Sequence, residues 1–243
     1  MKIGILAAGA PPENLIEKHG TYADMFIDLF SCADRGFLFR VYDIRYDDFP
    51  AETTECDGWI ITGSGHCVEE NLPWMVKLKQ LILNIYVTGR PMIATCFGHQ
   101  IVASAMGADV GPYAGGWGVG LQTFRLDMKV PFISEYVEQF SLNAMHRDQV
   151  LTKPDQAEVL ASSDYCQYAG LLYSDRILTL QIHPEFSLEY TYDLIAVRAE
   201  SGIDPERVAE GQASVREGKV HFDRELVTDW FIRFLCQKDS ISV

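Results

Sequence analysis

The feature that most constrains this chain is an alternation of strand and helix signals in which the strands are apolar from end to end. Residues 2–8 form a short apolar run, broken by Gly9, Ala10, Pro11 and Pro12. Residues 21–33 place Tyr22, Met25, Phe26, Leu29, Phe30 and Ala33 at steps of three and four, a helical period. Thr21 and Asp24 read as its capping box. Residues 37–44 (FLFRVYDI) and 58–62 (GWIIT) read as strands, the second running into Gly63-Ser64-Gly65. Residues 73–88 read as a helix, with Pro73 at its start and Gly89 just past its end. Residues 91–96 (PMIATC) are an apolar strand, and 97–106 a helix closed by Gly107. Strands without a polar face belong in a parallel sheet covered on both sides.

The second half reads differently. Residues 118–126, 141–145, 158–161, 168–173 and 177–183 look like strands joined by tight turns, with Ser174-Asp175 as a hairpin turn. Residues 188–215 look like a helical addition. Residues 223–235 read as a closing amphipathic helix with Leu226, Val227, Trp230, Phe231 and Phe234 on one side. The expected fold is α/β: an open, mostly parallel sheet with helices on both faces, a small antiparallel strand region and C-terminal helices. Residues 1–243 are expected to form one domain, with 188–243 as its helical extension.

Composition narrows the function. Of 243 residues, 48% are hydrophobic and 22% charged, as in a globular protein with a real core. A net charge of -14 without any basic run excludes a nucleic-acid binder, which needs clustered Lys and Arg. The N-terminal apolar run is too short for a signal peptide, and no stretch approaches the roughly 18 apolar residues of a membrane span. The expected location is the cytoplasm. The six cysteines, Cys32, Cys56, Cys67, Cys96, Cys166 and Cys236, show no C-x-x-C spacing. They read neither as a disulfide framework nor as a zinc site, and no metal or other cofactor is expected.

One cysteine stands apart. Cys96 lies where an apolar strand turns into a helix, at the sheet edge where open α/β folds bind ligands. The helix after it presents unpaired N–H groups and a partial positive charge that favour a thiolate. Ala94 and Gly98 keep the turn uncrowded. On this local pattern alone, a buried strand-end cysteine reads equally well. The difference comes from residues 178–183, an apolar strand ending in His183-Pro184-Glu185. Residues two apart in extended chain share a side, so Glu185 can orient the His183 imidazole.

CFGHQ at 96–100 and QIHPE at 181–185 resemble the two signatures of class I glutamine amidotransferases, most closely stand-alone proteins similar to the glutaminase domain of GMP synthase. Residues 61–65 (ITGSG) resemble the family's oxyanion strand, and residues 143–148 (NAMHRD) its substrate-carboxylate segment. The resemblance implies a flavodoxin-like sheet and a triad of Cys96, His183 and Glu185. It implies oxyanion donors at the backbone N–H groups of Ser64 and Phe97, and substrate contacts at Gly63, Gln100, Met145 and His146. Two positions depart from the family: Ala94 where glycine is usual, and Gly63-Ser64-Gly65 for Gly-Gly-Pro.

The implied reaction is attack of Cys96 on the γ-amide of glutamine, releasing ammonia for a separate synthase subunit. The 58 residues after Glu185 are too few for a synthase domain of usual size. A stand-alone γ-glutamyl hydrolase or peptidase would use the same triad, and a non-catalytic regulatory module is a third reading. Oligomeric state is not legible. Other letter patterns lack their context. His146-Arg147-Asp148 has no glycine-rich loop or D-F-G to make a kinase, and Gly63-Ser64-Gly65 has no following Lys-Ser/Thr to make a P-loop. The order His183 then Glu185 is the reverse of the acid-before-histidine order in α/β-hydrolases.

Overall fold

A computed structural model describes residues 1–31, 35–216 and 221–237. In chain order the elements begin with β1 (Lys2–Leu6), α1 (Glu13–His19), α2 (Tyr22–Ser31), β2 (Leu38–Tyr42) and β3 (Gly58–Ile61). There follow α3 (Pro73–Thr88), β4 (Met92–Thr95), α4 (Phe97–Ala105), β5 (Val110–Pro112), β6 (Gly118–Leu126) and β7 (Gln139–His146). The chain continues through β8 (Asp148–Val150), β9 (Ala157–Ser162), β10 (Gly170–Tyr173) and β11 (Ile177–Leu180). It closes with α5 (Leu188–Arg198), α6 (Pro205–Arg216) and α7 (Arg224–Leu235). Cys32, Ala33 and the expected helical extension at 217–220 and 238–243 lie outside the described residues.

The main sheet has nine strands in the order β2-β1-β3-β4-β11-β10-β9-β6-β7. The pairs from β2 through β11 are parallel, and those from β11 to β7 are antiparallel. The fold is therefore the expected mixed α/β sheet. The antiparallel strands extend the same sheet, and only β5 and β8 form a separate pair.

The apolar strands fit because alternate residues enter different cores. Ile3, Ile5, Ile60, Ile93 and Leu178 pack on one face with Phe26 and Phe30 of α2 and Trp230 and Phe231 of α7. Leu6, Trp59, Ile61, Met92, Ala94 and Ile177 pack on the other with Met75, Leu78, Ile82 and Ile85 of α3 and Ile101 of α4. The expected closing helix thus belongs to the central core.

Local signals hold in detail. Thr21 and Asp24 form the reciprocal cap, with N–H donations of 2.8 and 3.2 Å. Ser174 and Asp175 have φ of 47° and 54°, the left-handed pair of a type I′ hairpin between β10 and β11. Two boundaries differ. The strand expected over 37–44 ends at Tyr42 and forms a sheet edge, with Leu38 69% exposed, so its apolar outer face is uncovered. The strand expected over 177–183 leaves the sheet after Leu180, and His183 instead bridges to Asn143 on β7.

Helices α5 and α6 dock on β6 through a glycine contact. Gly120 has φ of 80°, and a Cβ there would lie 2.6 Å from the Cα of Gly211. The Ser214 hydroxyl accepts the Leu121 N–H at 2.9 Å. Arg207 donates to the carbonyls of Trp117 and Gly115 at 3.2 and 3.0 Å. No helix among the described residues is long and apolar enough to cross a membrane.

Candidate active site

Strand β4 ends at Thr95, and α4 begins at Phe97, so Cys96 occupies the turn itself. Its φ of 50° and ψ of -108° are strained for any residue with a side chain. The surroundings hold it there. The Cys96 N–H donates to the Leu180 carbonyl at 2.8 Å, and its own carbonyl accepts the Gln100 N–H at 3.0 Å. A Cβ at Gly98 would fall 2.7 Å from the Ile61 carbonyl oxygen, so this turn excludes larger residues there. The Ala94 methyl would lie 3.0 Å from a side chain at position 98; it is accommodated because that side chain is missing.

The neighbouring strand β3 brings its own turn beside the cysteine. Gly9 lets the backbone of Gly63 and Ser64 pass closely, since a Cβ on it would sit 2.6 Å from the Ser64 Cα. A Cβ on Gly63 would lie 3.0 Å from His183 Cε1 and 3.8 Å from the Cys96 Cβ. The Ser64 hydroxyl accepts the His66 N–H at 3.2 Å, fixing the loop. The Phe97 N–H, first of α4, has no acceptor within its helix. Neither it nor the Ser64 N–H meets a protein acceptor among the described residues.

His183 and Glu185 meet as expected. Nδ1 of His183 lies 2.7 Å from Glu185 Oε1, both side chains being buried. Thr95 donates its hydroxyl to the same carboxylate oxygen at 3.1 Å. The imidazole stacks on Phe186 at 3.8 Å with 5° between planes. Asn143 fixes the segment from β7: its carbonyl accepts the His183 N–H at 2.9 Å, and its side-chain amide donates to the Phe186 carbonyl at 2.9 Å. Arg224 of α7 donates to the Pro184 carbonyl at 3.0 Å. Burial alone would lower the His183 pKa. The Glu185 carboxylate and the Cys96 sulfur beside it outweigh burial and raise it to about 10. A thiol, an imidazole kept protonated and a buried carboxylate in sequence can form a thiolate and pass a proton to a leaving group.

A cavity of about 270 Å³ opens at Cys96. Ser64, Gln100, Met145, His146 and His183 all line it. Gln100 spends its amide nitrogen inside the protein, donating to the Asp148 carbonyl at 2.7 Å and to Gln181 at 3.1 Å. The Met145 carbonyl lies 4.0 Å from the Cys96 sulfur.

The family model for class I glutamine amidotransferases matches residues 31–195. The chain belongs to that family. γ-Glutamyl peptidase 2 of Arabidopsis thaliana is 28% identical over 200 residues, covering 80% of this chain and 79% of the relative. A glutamine-hydrolyzing GMP synthase subunit of Methanosphaera stadtmanae is 30% identical over 132 residues, covering 52% of this chain and 64% of that one. Among solved structures, a glutamine amidotransferase from Thermotoga maritima superposes with a TM-score of 0.72 at 20% identity, over 97% of this chain and 96% of the other. The expected enzyme family and fold both hold.

Within this amidotransferase fold, the structure adds cavity residues that sequence reasoning passed over. Tyr22 comes from α2, Leu194 and Arg198 from α5, and Trp117 and Ser201 from flanking loops. Tyr22 and Leu194 look like ordinary core positions in sequence, and nothing local marks Arg198. His146 is buried with both ring nitrogens unpartnered among the described residues.

Burial, reinforced by the nearby His183 charge, lowers the His146 pKa to about 3; burial likewise lowers that of His99 on α4 to about 3. Both are neutral in the folded chain at neutral pH, whereas unfolded histidines titrate near 6.5. Between these values the unfolded state binds more protons. Stability is therefore fully present above about pH 6.5 and falls as pH drops toward 3, by at most about 1.4 kcal/mol per pH unit for each histidine. Urea unfolding at pH 7 and pH 5 reads this, and His99→Gln should lessen the slope. An unchanged slope in that variant would show that His99 does not contribute.

Proposed function

We propose that this chain hydrolyses γ-glutamyl amides through a thioester on Cys96. The observation that carries the reading is the cysteine held at a strained turn, facing His183, with His183 bonded to buried Glu185. The Cys96 thiolate attacks the γ-carbonyl carbon, and the carbonyl electrons move to oxygen. The Ser64 and Phe97 N–H groups stabilise that oxyanion, a donor of this kind contributing about 3–4 kcal/mol. As the tetrahedral intermediate collapses, the C–N bond breaks and His183 gives its proton to the departing amine. Water then attacks the thioester with His183 as base, releasing glutamate and restoring the thiolate. Gly63, Gln100, Met145 and His146 shape the glutamyl site.

The leaving amine is an amino acid or peptide in the preferred reading, which the long match to γ-glutamyl peptidase 2 supports. Release of ammonia from glutamine to a separate synthase is the second reading, supported by the match to the glutamine-hydrolyzing GMP synthase of Methanosphaera stadtmanae. In either case we place the reaction in the cytoplasm, a reducing compartment suited to a catalytic thiol. Glutamate release from γ-glutamylglycine and from glutamine, measured with the purified chain, tests the proposal. The expected result is robust release from the dipeptide without any partner. Release from glutamine alone would favour the second reading, and release from neither would overturn both.

A further inference from the structure

Arg198 is a cation inside the cavity that nothing in the triad mechanism uses. It is the last residue of α5 and makes no ion pair among the described residues, in a chain with 34 Asp and Glu against 20 Lys and Arg. The other arginine of the cavity, Arg147, is held by Asp148 at 3.1 Å. Arg198 reaches toward the oxyanion loop: a Cβ on Gly65 would lie 3.2 Å from its Nη2. The missing side chain at position 65 leaves room for the guanidinium. Residue 198 also lies beyond 195, where the family match ends.

Its side of the cavity can be assigned. His183 protonates the departing amine, so the leaving group must lie against the imidazole. The His183 ring stacks on Phe186, and Phe186 on Tyr22 at 5.5 Å. The positive charge of Arg198 is felt at the Tyr22 hydroxyl, which ties the guanidinium to this flank. Gln100, Met145 and His146, by contrast, come from α4 and β7. Helix α5 starts two residues after Glu185, capped by Ser187 accepting the Tyr190 N–H at 3.0 Å, and α6 braces it against β6.

We propose that Arg198 binds a carboxylate on the leaving group, so that the preferred substrates are γ-glutamyl amino acids or peptides ending in a free carboxylate near the scissile amide. This rests on the hydrolase reading above. A guanidinium fits a carboxylate with two parallel hydrogen bonds and holds its charge at all working pH values.

The test compares γ-glutamylglycine, its neutral isostere γ-glutamylglycinamide and glutamine with the wild type, Arg198→Ala and Arg198→Lys. The wild type should favour the carboxylate over the amide by at least about 10-fold in kcat/KM, the scale of one charge-assisted contact. Arg198→Ala should erase that preference, chiefly through KM for the dipeptide, and Arg198→Lys should keep part of it. Thermal denaturation of both variants checks that they fold. A wild type that cleaves these substrates without preference would overturn this inference and leave the hydrolase reading standing. So would a preference that survives in Arg198→Ala. An equal loss on all three substrates would overturn it too, because it would assign Arg198 to the α-carboxylate of the glutamyl group or to structure. No glutamate from any substrate would overturn the hydrolase reading and this inference together.

Discussion

Replacing Cys96 with alanine is expected to lower turnover of every γ-glutamyl amide by at least about 10,000-fold, the scale of losing a nucleophile whose partners stay in place. The fold should survive, because the side chain makes no short polar contact, its nearest acceptor being the Met145 carbonyl at 4.0 Å. Stability separates the roles of side chain and backbone. With φ of 50° and ψ of -108°, the turn strains alanine as much as cysteine. Glycine adopts such angles freely, so Cys96→Gly should be inactive yet more stable than Cys96→Ala by about 1 kcal/mol. Glutamate release and urea midpoints of the two variants measure both effects. Appreciable turnover by Cys96→Ala would mean that another residue attacks the substrate.

That strained position explains which parts of the molecule were legible beforehand. Strands β1, β3 and β4 are apolar at nearly every residue because both faces are covered, and their place in the sheet follows from that alone. Helix α3 carries its own boundaries in Pro73 and Gly89, the latter at φ of 72°. Edge strand β2 defeated the same reading: Phe37 and Phe39 pack against Phe30, so they are apolar for a local aromatic cluster while Leu38 faces solvent. His183, Pro184 and Glu185 were legible as a motif, but their exit from the sheet was not. It depends on Asn143 and Arg224, about forty residues away on either side. Arg198 carries no signal at all, since its role follows from where α5 lands relative to Gly65.

The buried carboxylate gives the second large effect. Glu185→Gln keeps the shape of the side chain and can keep the Thr95 contact, but it removes the negative charge 2.7 Å from His183 Nδ1. Turnover at neutral pH should fall by about 100- to 10,000-fold, as when a triad acid becomes an amide. The sign of the pH dependence should change with it. In the wild type, the folded His183 pKa of about 10 exceeds the unfolded value near 6.5. Its contribution to stability is fully present below 6.5 and is lost as pH rises through 10. Without the Glu185 charge, burial is opposed only by the sulfur of Cys96, and the imidazole loses its proton at lower pH. In the double variant Cys96→Ala, Glu185→Gln, no such charge remains, and burial holds the pKa below 6.5. That variant should gain nothing from His183 at neutral pH and should lose stability as pH falls below 6.5. Urea midpoints from pH 5 to 10 for the wild type and both variants separate the charge of Glu185 from its shape. Parallel curves for all three would show that the carboxylate only positions the ring.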